Sequence, residues 1–341
     1  MVIKAIAYPR AALIGNPSDG YFGKTIAFVF DNYCATAEIK ESEELVFLSS
    51  PRDQNTFQSL SDLDDKIARF GYYGGIRLLK AAARLFFIYC QKNNIHLKNK
   101  NFTISYDCDI PNRLGLAGSS AIITAAMKAM CQFYEVKISL PELANMVLAV
   151  ERNELSIPAG LQDRVAQVYN HPVYMDFNRE QMEKNGTGIY KKITIPDDLN
   201  LFVSYRTDLA EGSEILHSRL RDDYNSGNPQ VLNAMKEWIN LTEQMNIALE
   251  KRDYSKVAAL INRNFDLRCE VCSGSISEKN RQMVEAARKV GASAKFTGSG
   301  GAIVGTYENE NMFHALVDEL KKAGVNVIKP HIVTSGNGAE L

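Results

Sequence analysis

Little in this chain leans one way. Its 39 Lys and Arg nearly balance its 40 Asp and Glu, for a formal net charge of -1, so no overall field favours nucleic acid or an anionic membrane, and neither is expected as a partner. No apolar run is long enough to cross a bilayer. The opening MVIKAIAYPRAALIG lacks the apolar core and cleavage site of a signal peptide. It reads better as a first strand running into a motif, and a cytoplasmic location is expected. Cysteine is not organised either. The six lie at Cys34, Cys90, Cys108, Cys131, Cys269 and Cys272, and only the last two have C-x-x-C spacing, at the end of a predicted helix with no second pair nearby. Zinc needs four ligands and a redox motif needs another setting, so neither is expected and the thiols are read as reduced. Repeats and low-complexity tracts are missing too. What remains, 45% hydrophobic and 23% charged residues over 341 positions, is the composition of an ordinary globular protein with two domains or one large one.

The chain is organised around Pro111–Ala121, PNRLGLAGSSA. A strand-like run, Asn101 to Tyr106, precedes it, and an apolar, alanine-rich segment, Ala121 to Tyr134, follows as a predicted buried helix. Two glycines and small side chains let backbone approach a ligand closely, and the helix start offers unpaired N–H groups and the positive end of its dipole. Phosphate suits that combination. The paired serines add hydroxyl oxygens for a phosphate or its magnesium ion.

Before this stretch, VIKAIAY reads as a strand, Pro9 to Thr25 as a motif-bearing loop, and IAFVFD and YCATAEIK as strands joined by a tight turn. Glu41 to Asp65 is a long connection or short helix, and Ile76 to Asn93 a helix. The segment GYFGKT invites a P-loop reading, but the P-loop's first glycine position is Ser18, and the segment leads into a strand where a P-loop needs a helix. After the central helix, Leu140 to Leu155 is predicted helical and carries Glu151 and Glu154. Gly160-Leu161-Gln162-Asp163-Arg164 opens a further helix, and VYMDF follows as a strand. Texture changes near Pro196-Asp197-Asp198, which divides the chain into 1–195 and 196–341. The second half reads as a strand (Leu201 to Tyr205), helices (Val231 to Glu250, Tyr254 to Val271, Glu278 to Val290), a strand–glycine loop–strand unit over Ala294 to Gly305, a helix (Met312 to Ala323) and a last strand (Val325 to Ile332). The class is α+β. Magnesium-nucleotide chemistry needs amides on phosphates, oxygen ligands for the metal and a group to position the attacking oxygen. The two glycine loops, Glu151 and Asp163 could supply these. Taken singly, Asp163 reads as a surface helix cap and Glu151 as a solvated face residue.

PNRLGLAGSSA resembles the second motif of the GHMP kinases (galactokinase, homoserine kinase, mevalonate kinase, phosphomevalonate kinase), P-x-x-x-G-L-G-S-S-A-A, with Ala117 at the middle glycine and Ile122 at the last alanine. KFTGSGGAIVG resembles the third motif and PRAALIGNPSDGYFGKT the first, in family order over nearly the full length. The segments GNPSDGYFGKT, YYGGIRLLKA, IPAGLQDRVAQVY and KFTGSGGA are most similar to the glucuronokinase branch of that family.

The resemblance implies a two-domain fold: an N-terminal domain like ribosomal protein S5 domain 2 and a ferredoxin-like C-terminal domain. It implies a sugar-1-kinase using ATP and Mg²⁺ on a small sugar acid, D-glucuronate. Alternatives are a kinase for galacturonate, a hexose or a heptose phosphate, or a non-catalytic sugar sensor. The oligomeric state stays open. By the same resemblance Arg113, Gly115, Leu116, Ala117, Gly118, Ser119 and Ser120 hold the ATP phosphates, and Gly298, Gly300 and Gly301 close the nucleotide site from the other domain. Ser120 and Glu151, with Glu154 as an alternative, hold the metal. Asp163 positions or deprotonates the anomeric hydroxyl, Arg10 stabilises developing charge, and Asp19 holds sugar hydroxyls. Arg164, Lys24 and Arg77 are the candidate cations for the sugar's carboxylate.

Overall fold

The computed structural model describes residues 2–50, 53, 57–64, 74–112, 114–206, 214–272, 274 and 276–334, with backbone alone for 214–219. Two sheets form from residues before Pro196 and a third from residues after it. The first contains β1 (Val2–Ala7), β4 (Ala35–Ser42), β5 (Val46–Phe47) and β6 (Asn101–Cys108), in the order β1-β4-β6-β5. Along β4 the residues Ala35, Ala37 and Ile39 are buried while Glu38 and Lys40 are exposed, the period-two pattern of a sheet with one covered face. Helix α1 (Ile76–Lys92) and helix α2 (Gly118–Tyr134) lie on that side. Helix α2 is alanine-rich and buried on nearly all sides, so it is a core helix.

The second sheet, in the order β2-β3-β7-β8, joins β2 (Arg10–Ile14), β3 (Lys24–Val29), β7 (Val173–Asp176) and β8 (Ile189–Lys192), antiparallel throughout. Helices α3 (Leu140–Ala149) and α4 (Leu161–Tyr169) pack together, and α4 lies against β2, β3 and β7. A short helix, α5 (Arg179–Asn185), precedes β8.

The third sheet, in the order β10-β11-β9-β12, holds β9 (Leu201–Arg206), β10 (Lys295–Phe296), β11 (Ala302–Thr306) and β12 (Val325–Ile328), again antiparallel. Its helices are α6 (Glu214–Asn225), α7 (Pro229–Lys251), α8 (Tyr254–Cys272), α9 (Glu278–Lys289) and α10 (Glu310–Lys322). Phe202, Phe265, Phe296 and Leu316 fill a separate small core there. No helix among the described residues is long and apolar enough to cross a membrane.

Strand β2 is gripped from both halves. The Ala12 amide donates to the Thr297 carbonyl at 3.0 Å, the Gly15 amide to Asn264 Oδ1 at 2.7 Å, and Lys295 Nζ to the Ala12 carbonyl. Lys295 is fully buried with carbonyls for partners. Burial pushes its ammonium well below the usual lysine range, and Arg268 and Arg10 push the same way.

The sequence pattern leaves out β2, β5, β8, α5 and α6. β2 lies inside the Pro9–Thr25 stretch read as loop, because five consecutive buried residues show no alternation. The helix expected over Leu140–Leu155 is instead α3 followed by one wide π-helical turn, Val150–Glu154. β12 stops at Ile328 rather than Ile332, although Ile332 still bridges Phe30.

Candidate active site

A cleft of about 1000 Å³ is lined by residues from both halves. One wall is the loop that leads into α2. Helix α2 begins at Gly118, and Gly118, Ser119 and Ser120 line the cleft, so the N-terminal end of a buried helix opens there. Ala117, just before it, sits in the left-handed region at φ 63, a conformation that costs an L-residue roughly 1–2 kcal/mol. Gly115 shares that region at φ +69, and a Cβ on it would stand 2.6 Å from the Gly300 carbonyl oxygen. The two glycine loops therefore meet at Gly115 and Gly300. Gly298 and Leu116 also line the cleft, and Gly301 packs against Leu114. Arg113 lies outside the described residues.

Arg10, on β2, joins three motifs. Its Nε donates to Asp163 Oδ1 at 2.5 Å, and its Nη1 to the carbonyls of Gly115 at 2.6 Å and Thr297 at 3.1 Å. Arg164, in the first turns of α4, approaches from the other side. Its Nη1 donates to Asp163 Oδ2 at 3.0 Å and to the Gly160 carbonyl at 2.9 Å, and its Nε and Nη2 both go to Glu151 Oε2, the former at 2.7 Å. Asp163 thus sits between two guanidinium groups. Burial works to raise its carboxyl, but Arg10 and Arg164 outweigh burial and hold it below the usual carboxylate range.

Glu151 is buried, not a solvated face residue. Within the wide turn Glu151 is buried while Arg152 is exposed, and such turns are frequent at functional sites. Burial pushes its carboxyl up against the pull of Arg164. Glu154, the alternative, pairs with Arg84 and does not line the cleft. Asp163 is the third residue of α4 and caps nothing, since Gly160 holds the cap position.

Asp19 belongs to a 3₁₀ turn, Ser18–Tyr21, after β2. Burial, with the Asp163 charge behind it, pushes the Asp19 carboxyl up to about 7, while Arg10 and Arg164 pull it down. Three polar atoms in the same walls have no partner among the described residues: Asn16 Oδ1, the Tyr21 hydroxyl and Gln162 Oε1. Buried polar groups normally find partners, and these three are the exceptions in the cleft walls.

Of the cations read from the sequence, Arg77 and Arg164 line the cleft and Lys24 does not. Lys24 heads β3 and pairs with Glu243 at 2.6 Å and Asp176 at 3.3 Å. A strand's alternation does not reveal which face meets the cleft, and that misplaced Lys24. Sequence reasoning also passed over Gln167, Arg152, Arg221 and Arg268. Gln167 was within reach of it, since it stands four residues after Asp163 on the same helix face. Gln167 Nε2 donates to the carbonyls of Tyr8 and Ala117 at 3.0 and 2.9 Å, which leaves Oε1 to accept the Ser120 hydroxyl at 2.6 Å. With that proton directed at Gln167, the Ser120 oxygen keeps lone pairs for another partner.

A glycine–serine loop at a helix N-terminus, a second glycine loop against it and a carboxylate held between arginines are the parts that phosphoryl transfer asks for, and comparison with known proteins gives the family. The GHMP kinases N-terminal domain pattern matches residues 77–171 and the GHMP kinases C-terminal pattern residues 245–326. The chain belongs to the GHMP kinase family. It is 43% identical over 336 residues to "Probable glucuronokinase 2" of Arabidopsis thaliana, covering 95% of this chain and 89% of that one. It is 42% identical over 326 residues to "Glucuronokinase 1" of the same plant, covering 93% and 89%. Among solved structures, Lactococcus lactis galactokinase complexed with galactose superposes with a TM-score of 0.77 at 13% identity, covering 98% of this chain and 94% of that one, a likeness of fold.

Proposed function

We propose that this chain transfers the γ-phosphoryl group of ATP to the anomeric hydroxyl of D-glucuronate, giving α-D-glucuronate 1-phosphate and ADP. The carrying observation is that Arg10 ties the Asp163 carboxylate to both glycine loops in one cleft. The identity to two glucuronokinases supports the choice of sugar.

The N-terminal end of α2 takes the phosphates, with Gly115 to Ser120 wrapping them and Gly298 to Gly301 meeting the loop from the second half. Asp163 accepts the hydrogen bond of the sugar's anomeric hydroxyl and aims its oxygen in line with the γ-phosphorus. A new P–O bond forms there as the bond to the β-phosphate oxygen breaks and ADP leaves, and the hydroxyl proton passes late in the step to a transferred phosphoryl oxygen or to water. A carboxylate held this acidic is a poor proton sink, and a loose phosphoryl-transfer transition state asks little of a base. Asp163 therefore acts chiefly by position. Arg10 fixes Asp163, and its Nη2, which carries no hydrogen bond among the described residues and lies beside Gly298, is the part that faces the transferring group. Asp19, Gln162 and the other cleft-wall polar groups take sugar hydroxyls.

Ser120 and Glu151 suit Mg²⁺, since both offer hard oxygens and the Ser120 proton is directed away. An ion that draws most of its shell from phosphates and water needs few protein ligands. Bound there, it would neutralise phosphate charge. On the same reading, residues 1–195 carry the phosphate loop, Glu151 and Asp163, and residues 196–341 carry the closing loop.

The test is ADP release with MgATP against D-glucuronate, D-galacturonate, galactose, glucose and a heptose 7-phosphate. Preference for glucuronate is expected. Preference for another sugar discards the uronate, and turnover of none discards the kinase.

A further inference from the structure

D-Glucuronate differs from D-glucose only in carrying a carboxylate where glucose has a hydroxymethyl group, so a cleft that prefers the acid must answer it with a cation. Most cations near the cleft are already committed. Arg164 has Nε, Nη1 and Nη2 engaged by Glu151, Asp163 and Gly160. Arg268 is buried and holds the Gly298 and Ser299 carbonyls at 2.8 Å each, and Lys24 lies elsewhere.

Arg221 is different. It stands on α6, exposed, and lines the cleft. It has no hydrogen bond or ion pair among the described residues, and its guanidinium lies 5.8 Å from the centre of the Tyr21 ring. Its Nη2 comes within 3.9 Å of where a Cβ on Gly20 would stand, next to Asp19. Tyr21 is buried, lines the cleft, and its hydroxyl has no partner. The rings of Tyr21 and Tyr224 lie 4.9 Å apart. Tyr224 is three residues after Arg221 and so shares its helix face, which fixes that face of α6 on the 3₁₀ turn. A planar guanidinium fork and an unpartnered phenol hydroxyl therefore occupy one corner of the cleft, beside the acid suited to sugar hydroxyls.

We propose that Arg221, with the Tyr21 hydroxyl as a second donor, receives the carboxylate of the sugar acid and sets the preference for it over the neutral hexose. This rests on the substrate reading above. A guanidinium meets a carboxylate through two parallel N–H···O bonds, which an ammonium cannot reproduce. Arg152, exposed at the cleft beside Glu151, is the rival cation.

The experiment measures kcat and KM for D-glucuronate and D-glucose in the wild type and in Arg221→Met, Arg221→Lys, Tyr21→Phe and Arg152→Met. In Arg221→Met the acid-over-hexose ratio of kcat/KM should fall roughly 10- to 100-fold, the worth of a charge-assisted contact, with the loss in KM for the acid. Arg221→Lys should recover part of it, and Tyr21→Phe should lose less. A wild-type preference that survives Arg221→Met, or that collapses in Arg152→Met instead, overturns the assignment and leaves the substrate reading standing. A wild type with no preference overturns the substrate reading and the assignment with it.

Discussion

The two ends of the cleft are built on opposite principles. Around Asp163 each charge meets another: Arg10 on one oxygen, Arg164 on the other, Glu151 behind Arg164. Around Asp19 the wall is left open, with three polar atoms lacking partners and Arg221 lacking an ion pair among the described residues. A closed set of buried charges is preorganised and needs no rearrangement at the moment of reaction. An open set is completed by its ligand. Changes at the closed end should cost rate and stability together, and changes at the open end should move affinity and choice of substrate, with stability responding only through the titration of Asp19.

The largest expected effect is at the closed end. Asp163→Asn keeps the shape but removes the charge that two arginines share, and kcat should fall roughly 10³-fold or more while nucleotide still binds by calorimetry. Near-normal turnover would remove Asp163 from the mechanism. Next is Glu151→Gln. Taking one partner from a buried ion pair typically costs about 3–5 kcal/mol. Asp163 still faces Arg164, so the lower end of that range is expected, read as a fall in the urea unfolding midpoint. An unchanged midpoint would mean that Arg164 does not depend on Glu151.

Asp19 should respond to pH instead. Its carboxyl titrates near 7 in the fold against a usual value of 3.8. Between those values the unfolded chain is ionised while the folded chain keeps its proton, so this group's contribution to stability is full below pH 4 and declines as pH rises to 7. Asp19→Asn has no such decline. Its unfolding temperature relative to the wild type should therefore rise between pH 4 and 8, by the equivalent of at most about 4 kcal/mol, from about three pKa units at about 1.4 kcal/mol each less what water in the cleft screens. Parallel pH profiles would show that Asp19 is not held protonated. The smallest effect belongs to Ala117→Gly, which relieves a left-handed alanine but loosens the unfolded chain. The net change should stay within about 1 kcal/mol by thermal unfolding, with KM for ATP unchanged. A large loss would show that the Ala117 methyl packs against something the loop requires.

What could be read from sequence divides along the same line. The residues of the closed end were reached through the resemblance of the motifs that carry them, because taken singly Asp163 reads as a cap and Glu151 as a solvated face residue. A glycine–serine loop before an apolar helix, and a Gly-x-x-Asp turn before another, announce themselves in order. The open end was not, because tertiary docking makes it. Arg221 stands about 200 residues from Tyr21 in the chain and reaches it only because Tyr224 packs on the 3₁₀ turn, and no periodicity encodes that meeting. Lys24 failed for the complementary reason. It lies in a motif-like segment, but β3 pairs with β7 and directs it to Asp176. Helix α2 begins at Gly118, three residues before the predicted Ala121, because small residues can join a first turn that hydrophobic periodicity does not mark. Short strands such as β5 and β8 carry too few residues to alternate visibly.

The wide turn at Val150–Glu154 also sets how the chain can change length. Each residue of a helix advances the side-chain direction by about 100°, so the distance along the chain from α3 decides which side chain faces Arg164. Deleting a single residue between Leu140 and Val150 would bring Arg152 into the place that Glu151 holds, setting cation against cation in a buried site. For this segment, length is constrained as well as composition.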